Sequence, residues 1–510
     1  MWLELAVAFS AWTLLVVALK KTGILDRFGV RGYGPFILCP IFKNIPAPKK
    51  VNFGWFSILF FVLTMIFYLL LIFAGSYFFP LPSVPFHHVA TVTPVGNFLL
   101  IPMINEFIPV WLGWIGLLVA LFVHELGHAF ASEGKTRALG IVFAPIPIGA
   151  FADVDEQYFF DENRPRFTRT KLICAGVAAN LLVALLAFFI FFVPVLGGLE
   201  VTGNVSVDYV VPGSHAEKLG IVNGMIITRV DDIPLDNASQ LLAYAKNSSS
   251  VKLTMVKDGK TENQWITPGK ERGIMVVDTA PAYPARYAGL KRGVRITNIG
   301  NITVNTLSEF INYMNTTHPG QMISLGLLDN GTERNVTLIL ANPPENISKG
   351  WLGIVVSEDI LGFSTFEVDG NSFLNTFKNV VLKPRGIQYL LIAPMASLIE
   401  LPGFSGFNGV LKNLFQPAGI LKFTGSWYLS FADILFWIGW MNIQIALFNS
   451  LPIYKLDGGL FLKEALDYFC EKLGLKKNIS VIIVKFVTVI VIGYFLYIIF
   501  SKVLWQSGYQ

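Results

Sequence analysis

The chain has 510 residues, 53% of them hydrophobic and 14% charged, with a formal net charge of +5. A soluble chain carries about 25% charged residues, and the mean hydropathy here is +0.57. An ordinary soluble enzyme is therefore excluded, and an integral membrane protein with some polar mass is read instead. The basic residues stand beside apolar segments, as topology signals do, rather than in nucleic-acid-binding patches. The expected surroundings are a lipid bilayer, with no nucleic-acid partner.

In chain order, the first apolar run, Met1 to Leu19, precedes Lys20-Lys21 and has no small-residue cleavage site after it. It reads as an uncleaved span. From Lys20 to Lys50 there are seven Lys/Arg against one acid, Asp26. The positive-inside rule makes this loop cytoplasmic and the N-terminus external. A second span runs from about Phe53 to Phe79. A Pro-rich segment with the pair His87-His88 follows; a surface pair with no Cys or acid nearby reads as solvated.

The third span, about Trp111 to Ala131, carries H-E-x-x-H at residues 124–128. On a helix His124 and His128 leave the same face, with Glu125 beside them. The motif is short and matches by chance, yet three ionisable residues in a span are expensive and need a reason. The next loop, Ser132 to Lys171, holds six Lys/Arg and reads as cytoplasmic. Within it Gly140 to Ala152 is apolar but broken by Pro145, Pro147 and Gly149. It is too short to span, and an extended or re-entrant loop is expected. A fourth span, about Leu172 to Val195, begins with Ala175-Gly176-Val-Ala-Ala-Asn180. Its small residues permit close helix approach. Asn180 is read equally as interhelical glue and as a holder of substrate or ligand.

Residues 200–345 are polar, alternating and internally repeated. Ala216-Glu-Lys-Leu-Gly220 aligns with Ala285-Arg-Tyr-Ala-Gly289, and Gly224-Met-Ile-Ile227 with Gly293-Val-Arg-Ile296. Asp258-Gly259 and Asn330-Gly331 fall at matching hairpin turns. Each copy resembles a PDZ domain, a fold that binds extended peptides by strand addition. Lys291-Arg292 and Tyr283-Pro284 depart from the common pattern in the second copy. Eight N-x-[ST] sequons, from Asn204 to Asn346, lie in this region. They are usable only outside the cytoplasm, which places the repeats outside. With this compact layout they point to an archaeal cell membrane. Phe373 to Phe423 is mixed, and Gly386 to Pro402 reads as a partial membrane hairpin or an interfacial helix. A span from about Tyr428 to Leu447 leads into Asn449-Ser-Leu-Pro-Ile-Tyr-Lys-Leu-Asp-Gly-Gly459. The last span is about Val481 to Val503, making six. Cys39, Cys174 and Cys470 lie far apart with no C-x-x-C, so neither a disulfide framework nor a zinc-thiolate site is expected.

A catalytic zinc takes three protein ligands and leaves one position open. His124 and His128 supply two, and Asp457, at the inner end of a span, is the natural third. Its competing role is a turn, since Asp-Gly is a turn dipeptide.

H-E-L-G-H at 124–128, A-P-I-P-I-G-A-F at 144–151, A-G-x-x-x-N at 175–180, the paired insert and N-S-L-P-I-Y-K-L-D-G-G at 449–459 together resemble the site-2 protease family of intramembrane zinc metalloproteases. The resemblance implies an α-helical polytopic membrane protein of about six transmembrane helices with two inserted α+β PDZ-like domains. The expected segments are 1–198 (four spans), 199–272 and 273–345 (PDZ-like), 346–427 (linker with a membrane-associated segment) and 428–510 (two spans). It implies one zinc held by His124, His128 and Asp457, with Glu125 as catalytic acid/base and Asn180 near the oxyanion. Ile148, Gly149, Ala150 and Phe151 would pair with substrate, and Asn449 would lie near it. The implied substrates are transmembrane proteins, trimmed beforehand and cut near the cytoplasmic side. The external PDZ-like pair would bind a peptide or act as a size filter. The competing class is a catalytically inactive membrane scaffold that binds peptides. A soluble-type zincin on an anchor is a further alternative, opposed by the apolar flanks of His124.

Overall fold

A computed structural model describes residues 2–46, 54–78, 100–159, 161, 164–269, 272–280, 282–329, 331–343, 349–358, 361–383, 386–394, 403–476 and 478–507. His87 and His88 lie outside the described residues, as do the sequon asparagines Asn330 and Asn346. The chain divides into two compact units. One comprises Met1–Gly197, Lys378–Gly406 and Ser430–Gln510, the other Gly198–Phe377 and Phe407–Leu429.

The first unit is built on long apolar helices. Helix α1 spans Trp2–Lys21 and ends on Lys20 and Lys21. Among the described residues five helices are long and apolar enough to cross a membrane: Gly54–Phe73, Val110–Ala131, Arg166–Val195, Trp427–Ser450 and Asn478–Tyr497. The expected first span coincides with α1, which is not one of the five. The protein is a membrane protein, and its helices interlock through small residues, as lipid-embedded helices do. A Cβ on Gly116 would come within 2.6 Å of the Trp437 carbonyl oxygen, and one on Gly127 within 2.5 Å of that of Ala175. Cys174, Val177, Phe61 and Ala446 close a core from three of the spans. All three cysteines are free.

The loops expected on either side of the spans are not loops. β1 (Arg31–Tyr33), β2 (Phe36–Ile45), β3 (Thr136–Phe143) and β4 (Pro147–Val154) form one antiparallel sheet in that order. The apolar stretch around Gly149 is thus the second arm of a hairpin, turning at Ala144 to Ile146, and β4 lies at the sheet edge. Its Pro and Gly residues break a helix but suit a turn and an edge strand. Pairing with β3 satisfies backbone groups that lipid would leave bare.

The second unit holds two sheets of the same plan. The first runs Lys260–Ile266, Val251–Lys257, Ile226–Val230, Val205–Val210, Phe363–Glu367. The second runs Thr332–Ile339, Met322–Asp329, Arg295–Ile299, Ile274–Thr279, Ile354–Ser357. The repeat read from the sequence is present: Gly220 and Gly289 end matching short helices, and Gly224 and Gly293 precede matching strands, all at positive φ. Only glycine enters that region without a steric cost. The boundaries at 272 and 345 do not hold for the sheets, however. Strand Phe363–Glu367 returns to pair with Val205–Val210, and Ile354–Ser357 pairs with Ile274–Thr279. Leu361 and Phe363 pack into the first core, Leu352 into the second. The second fold is therefore nested inside the first. Two strands within the expected 346–427 linker, Ile354–Ser357 and Phe363–Glu367, belong to these domains, because their last edge positions need strands that sequence order supplies late.

In the stretch from Gly386 to Pro402, read from the sequence as a partial membrane hairpin or an interfacial helix, the described residues begin with a short helix. The short helix Gly386–Ile392 lies against the Trp427–Ser450 span, where Leu391 O accepts from Trp440 Nε1 at 3.3 Å and Gln444 Nε2 at 3.1 Å. Residues 395–402 lie outside the described residues.

Candidate active site

Three elements of the first unit meet at one point. The Val110–Ala131 helix carries His124, Glu125 and His128. The Arg166–Ile190 helix carries Gly176 and Asn180. Asp457 opens the helix Asp457–Lys472. This helix starts sharply after the preceding span because Pro452 cannot continue it and Lys455 adopts φ +76°. Gly458 and Gly459 let the chain fold back tightly, since a Cβ at either would stand 2.1 Å from a carbonyl oxygen. The Asp-Gly pair is thus a helix start at a tight chain reversal, with the carboxylate turned inward. Charge pairs tie this helix down: in a buried pair Arg169 Nε reaches Glu464 Oε2 at 3.1 Å, and nearer the surface Arg166 pairs with Glu471.

His124 Nε2 lies 3.1 Å from Asp457 Oδ2, His128 Nε2 lies 3.5 Å from the same oxygen, and the two Nε2 atoms are 3.2 Å apart. The protons can be placed from the partners on the other ring nitrogens. His128 Nδ1 stands 2.9 Å from the carbonyl oxygen of Leu172, which only accepts, so Nδ1 carries the proton. Asn180 Nδ2 donates to Ala120 O at 2.8 Å and to Asn442 Oδ1 at 2.9 Å. That fixes the amide, and its Oδ1 accepts from His124 Nδ1 at 2.8 Å. In the neutral imidazoles that bind metals, both Nε2 atoms are then bare lone pairs. Asp457 Oδ2 is buried and receives no hydrogen bond.

Three lone pairs facing one another repel unless a cation sits among them. The donor set fits zinc. Bonds of about 2.0–2.1 Å in a tetrahedron separate ligand atoms by about 3.3–3.4 Å, close to the three separations found. Among the described residues this is the group of three that could hold a metal. The backbone makes room for it: a Cβ on Gly176 would lie 2.6 Å from His128 Nε2 and 2.8 Å from His124 Nε2.

Glu125 Oε2 accepts from the backbone N–H of Ala152 on β4 at 2.8 Å. This links the H-E-x-x-H helix directly to the hairpin edge that carries Ile148, Gly149, Ala150 and Phe151. Both amide hydrogens of Asn180 are engaged, by Ala120 O and Asn442 Oδ1, and its oxygen faces His124 Nδ1 rather than the three facing donor atoms. Asn449 donates to Ile445 O of its own helix at 3.1 Å. Asn442, Ala152 and the Leu172 carbonyl were not foreseen. Only Asn442 left a signal, as a buried amide inside an apolar span.

Comparison with known proteins agrees. The profile of Peptidase family M50 matches residues 112–493. Protease RseP of Yersinia pestis is 22% identical over 407 residues, covering 71% of this chain and 87% of that protein. Regulator of sigma-E protease RseP of Escherichia coli is 22% identical over 440 residues, covering 71% and 93%. A putative zinc metalloprotease of Thermotoga maritima is 26% identical over 226 residues, covering 38% and 42%. These relatives are bacterial, and the archaeal source read from the sequons gains no support from them. With a zinc-shaped donor set, two of its members on a membrane helix, and a family match over most of the chain, the conclusion is direct: this chain belongs to peptidase family M50 and is a zinc metalloprotease of the site-2 protease type.

Proposed function

We propose that the protein is an endopeptidase acting inside the membrane, cutting a peptide bond in or near the transmembrane segment of other membrane proteins. The observation that carries this reading is the set of three facing lone pairs of His124, His128 and Asp457, the two histidines on a helix long and apolar enough to span. Zinc bound by these three supplies Lewis acidity, activating a water and polarising the scissile carbonyl. Glu125, next to His124 on the same helix, takes the attacking water's proton and returns it to the leaving amine. Asn180 and the Leu172 carbonyl keep the proton of each imidazole on Nδ1. A substrate helix must unwind to expose its carbonyls, and lipid offers no replacement partners. Pairing along Ile148 to Phe151 of the edge strand offsets that cost, with Asn449 on the substrate side.

We place six spans in the membrane, counting α1, whose Leu14 and Leu15 side chains are exposed. The basic segment 20–50 and the loop 132–171 support a cytoplasmic side near the active site. The sequons support external repeats, which we read as two PDZ-like folds, the second nested in the first, that bind a peptide or admit only trimmed substrates. The catalytically silent scaffold is not favoured: it gives no reason to face bare nitrogens toward a buried carboxylate.

The test is cleavage of a single-span membrane protein by the purified enzyme in liposomes. Cleavage should stop on chelation and return with zinc. Cleavage that persists through chelation contradicts the reading.

A further inference from the structure

The hydrogen bond from Ala152 to Glu125 has a defined place in the strand's alternation. Along β4 successive N–H groups point to opposite sides. Asp155 N–H, just past the strand, donates to Lys135 O on the β3 side at 2.9 Å. From Gly149 to Val154 the strand pairs one residue at a time; the irregularity near Thr136 to Ala138 adds its residue to β3. The N–H groups of Asp153, Phe151 and Gly149 therefore follow Asp155 toward β3, and those of Val154, Ala152 and Ala150 point to the open edge. Nearer the turn, Ile148 sits in a bulge between the Gly149 and Pro147 pairings, and Pro147 has no N–H.

Of these edge donors Ala152 is thus taken by Glu125; Val154 lies beyond it at the strand's end, and Ala150, two residues away on the turn side and about 7 Å along the strand, stays open. A glutamate on a helix has three free side-chain torsions. A charge-assisted bond from rigid strand backbone removes most of that freedom. The strand that receives the substrate and the strand that fixes the carboxylate are one and the same.

We propose that Ala152 is a positioning residue: its backbone N–H holds Glu125 in place for proton transfer and ends the substrate ladder, leaving Ala150 as the donor that binds the extended substrate. This rests on the reading of Glu125 as base and of β4 as the substrate strand. The two alanines then have separate duties, one in turnover and one in binding, although they carry the same side chain.

Amide-to-ester replacement tests this with the same chemistry at both positions. L-lactic acid is placed at 152 or at 150 by nonsense suppression, and alanine inserted by the same route gives the reference protein. The 152 ester should keep its zinc and its KM to within about twofold and lose about 10- to 100-fold in kcat, the scale of a misplaced catalytic group. The 150 ester should raise KM instead. Independently of activity, Glu125→Ala should speed amide exchange at Ala152 in the metal-free protein. A 152 ester with unchanged kcat, or with a raised KM like that of the 150 ester, overturns the proposal, as does unchanged exchange at Ala152. A 150 ester with unchanged KM overturns the substrate-strand reading alone, while kcat of the 152 ester still decides the role of Ala152.

Discussion

Asn180 Oδ1 accepts from His124 Nδ1 at 2.8 Å, and that bond turns the opposite nitrogen, Nε2, toward Asp457. The amide cannot flip, because its own Nδ2 is held by Ala120 O and Asn442 Oδ1. The partner behind a ligating histidine fixes its tautomer, and its loss typically costs 10–100-fold in metal affinity. Asn180→Ala should therefore lower zinc affinity by about 10- to 100-fold while the fully loaded enzyme keeps most of its kcat. Zinc titration alongside turnover at saturating zinc measures both. A large fall in kcat with unchanged zinc affinity would restore the oxyanion role.

Gly176 is the clearance for the metal ligands. Adding one methyl places carbon 2.6 Å from His128 Nε2, well inside contact. Overpacking of a tight interior costs about 1–3 kcal/mol, and here it falls on the ligands themselves. Gly176→Ala should lose zinc and activity together. Gly197→Ala, where a Cβ meets nothing within 4 Å, is the control and should retain both. Metal content by mass spectrometry reads the difference.

The helix that begins at Asp457 is anchored by the buried pair Arg169 and Glu464, each side chain about 10% exposed. Removing one partner of such a pair leaves an uncompensated charge and costs about 3–5 kcal/mol, whereas replacing both by apolar groups is often tolerated. Arg169→Met alone should lower thermal stability in detergent sharply, and Arg169→Met with Glu464→Leu should recover much of it. Equal stability of the single and double variants would show that the pair does not act as a unit.

The nesting of the two sheets of the second unit has a measurable consequence. Phe363 is buried in the first core although the whole second sheet, from Ile274 to Ser357, separates it in sequence from the other strands of that core. Phe363→Ala should cost about 3–5 kcal/mol and speed amide exchange across 205–266 while leaving 274–340 protected. Loss of protection in both regions would mean that the sheets are one cooperative unit.

Much of the site was legible because its chemistry is local or strongly marked. H-E-x-x-H brings two imidazoles and an acid together by helical spacing, and Asp457 stands out as a carboxylate beside a span with two glycines after it. What could not be read depends on backbone geometry brought together by the fold. The Leu172 carbonyl and the Ala152 N–H carry no side-chain signature. The segment 31–45 looked like a basic loop because its pairing partner begins at Thr136. The return of Phe363 to its sheet likewise has no local mark, since a short alternating strand reads the same wherever it pairs. Asn180 was rightly singled out as a buried amide, but only its partners distinguish a donor to substrate from an orienter of histidine.

The most direct test of the account is the hydrolysis rate of Glu125→Gln enzyme whose zinc content has been measured beforehand. Glutamine keeps the size of the side chain and an oxygen able to accept from Ala152, but it cannot take a proton from water. The account predicts about one zinc per chain, as three protein ligands leave the metal held without Glu125, together with no detectable cleavage of a single-span substrate. Cleavage at the wild-type rate by this zinc-loaded variant would contradict it.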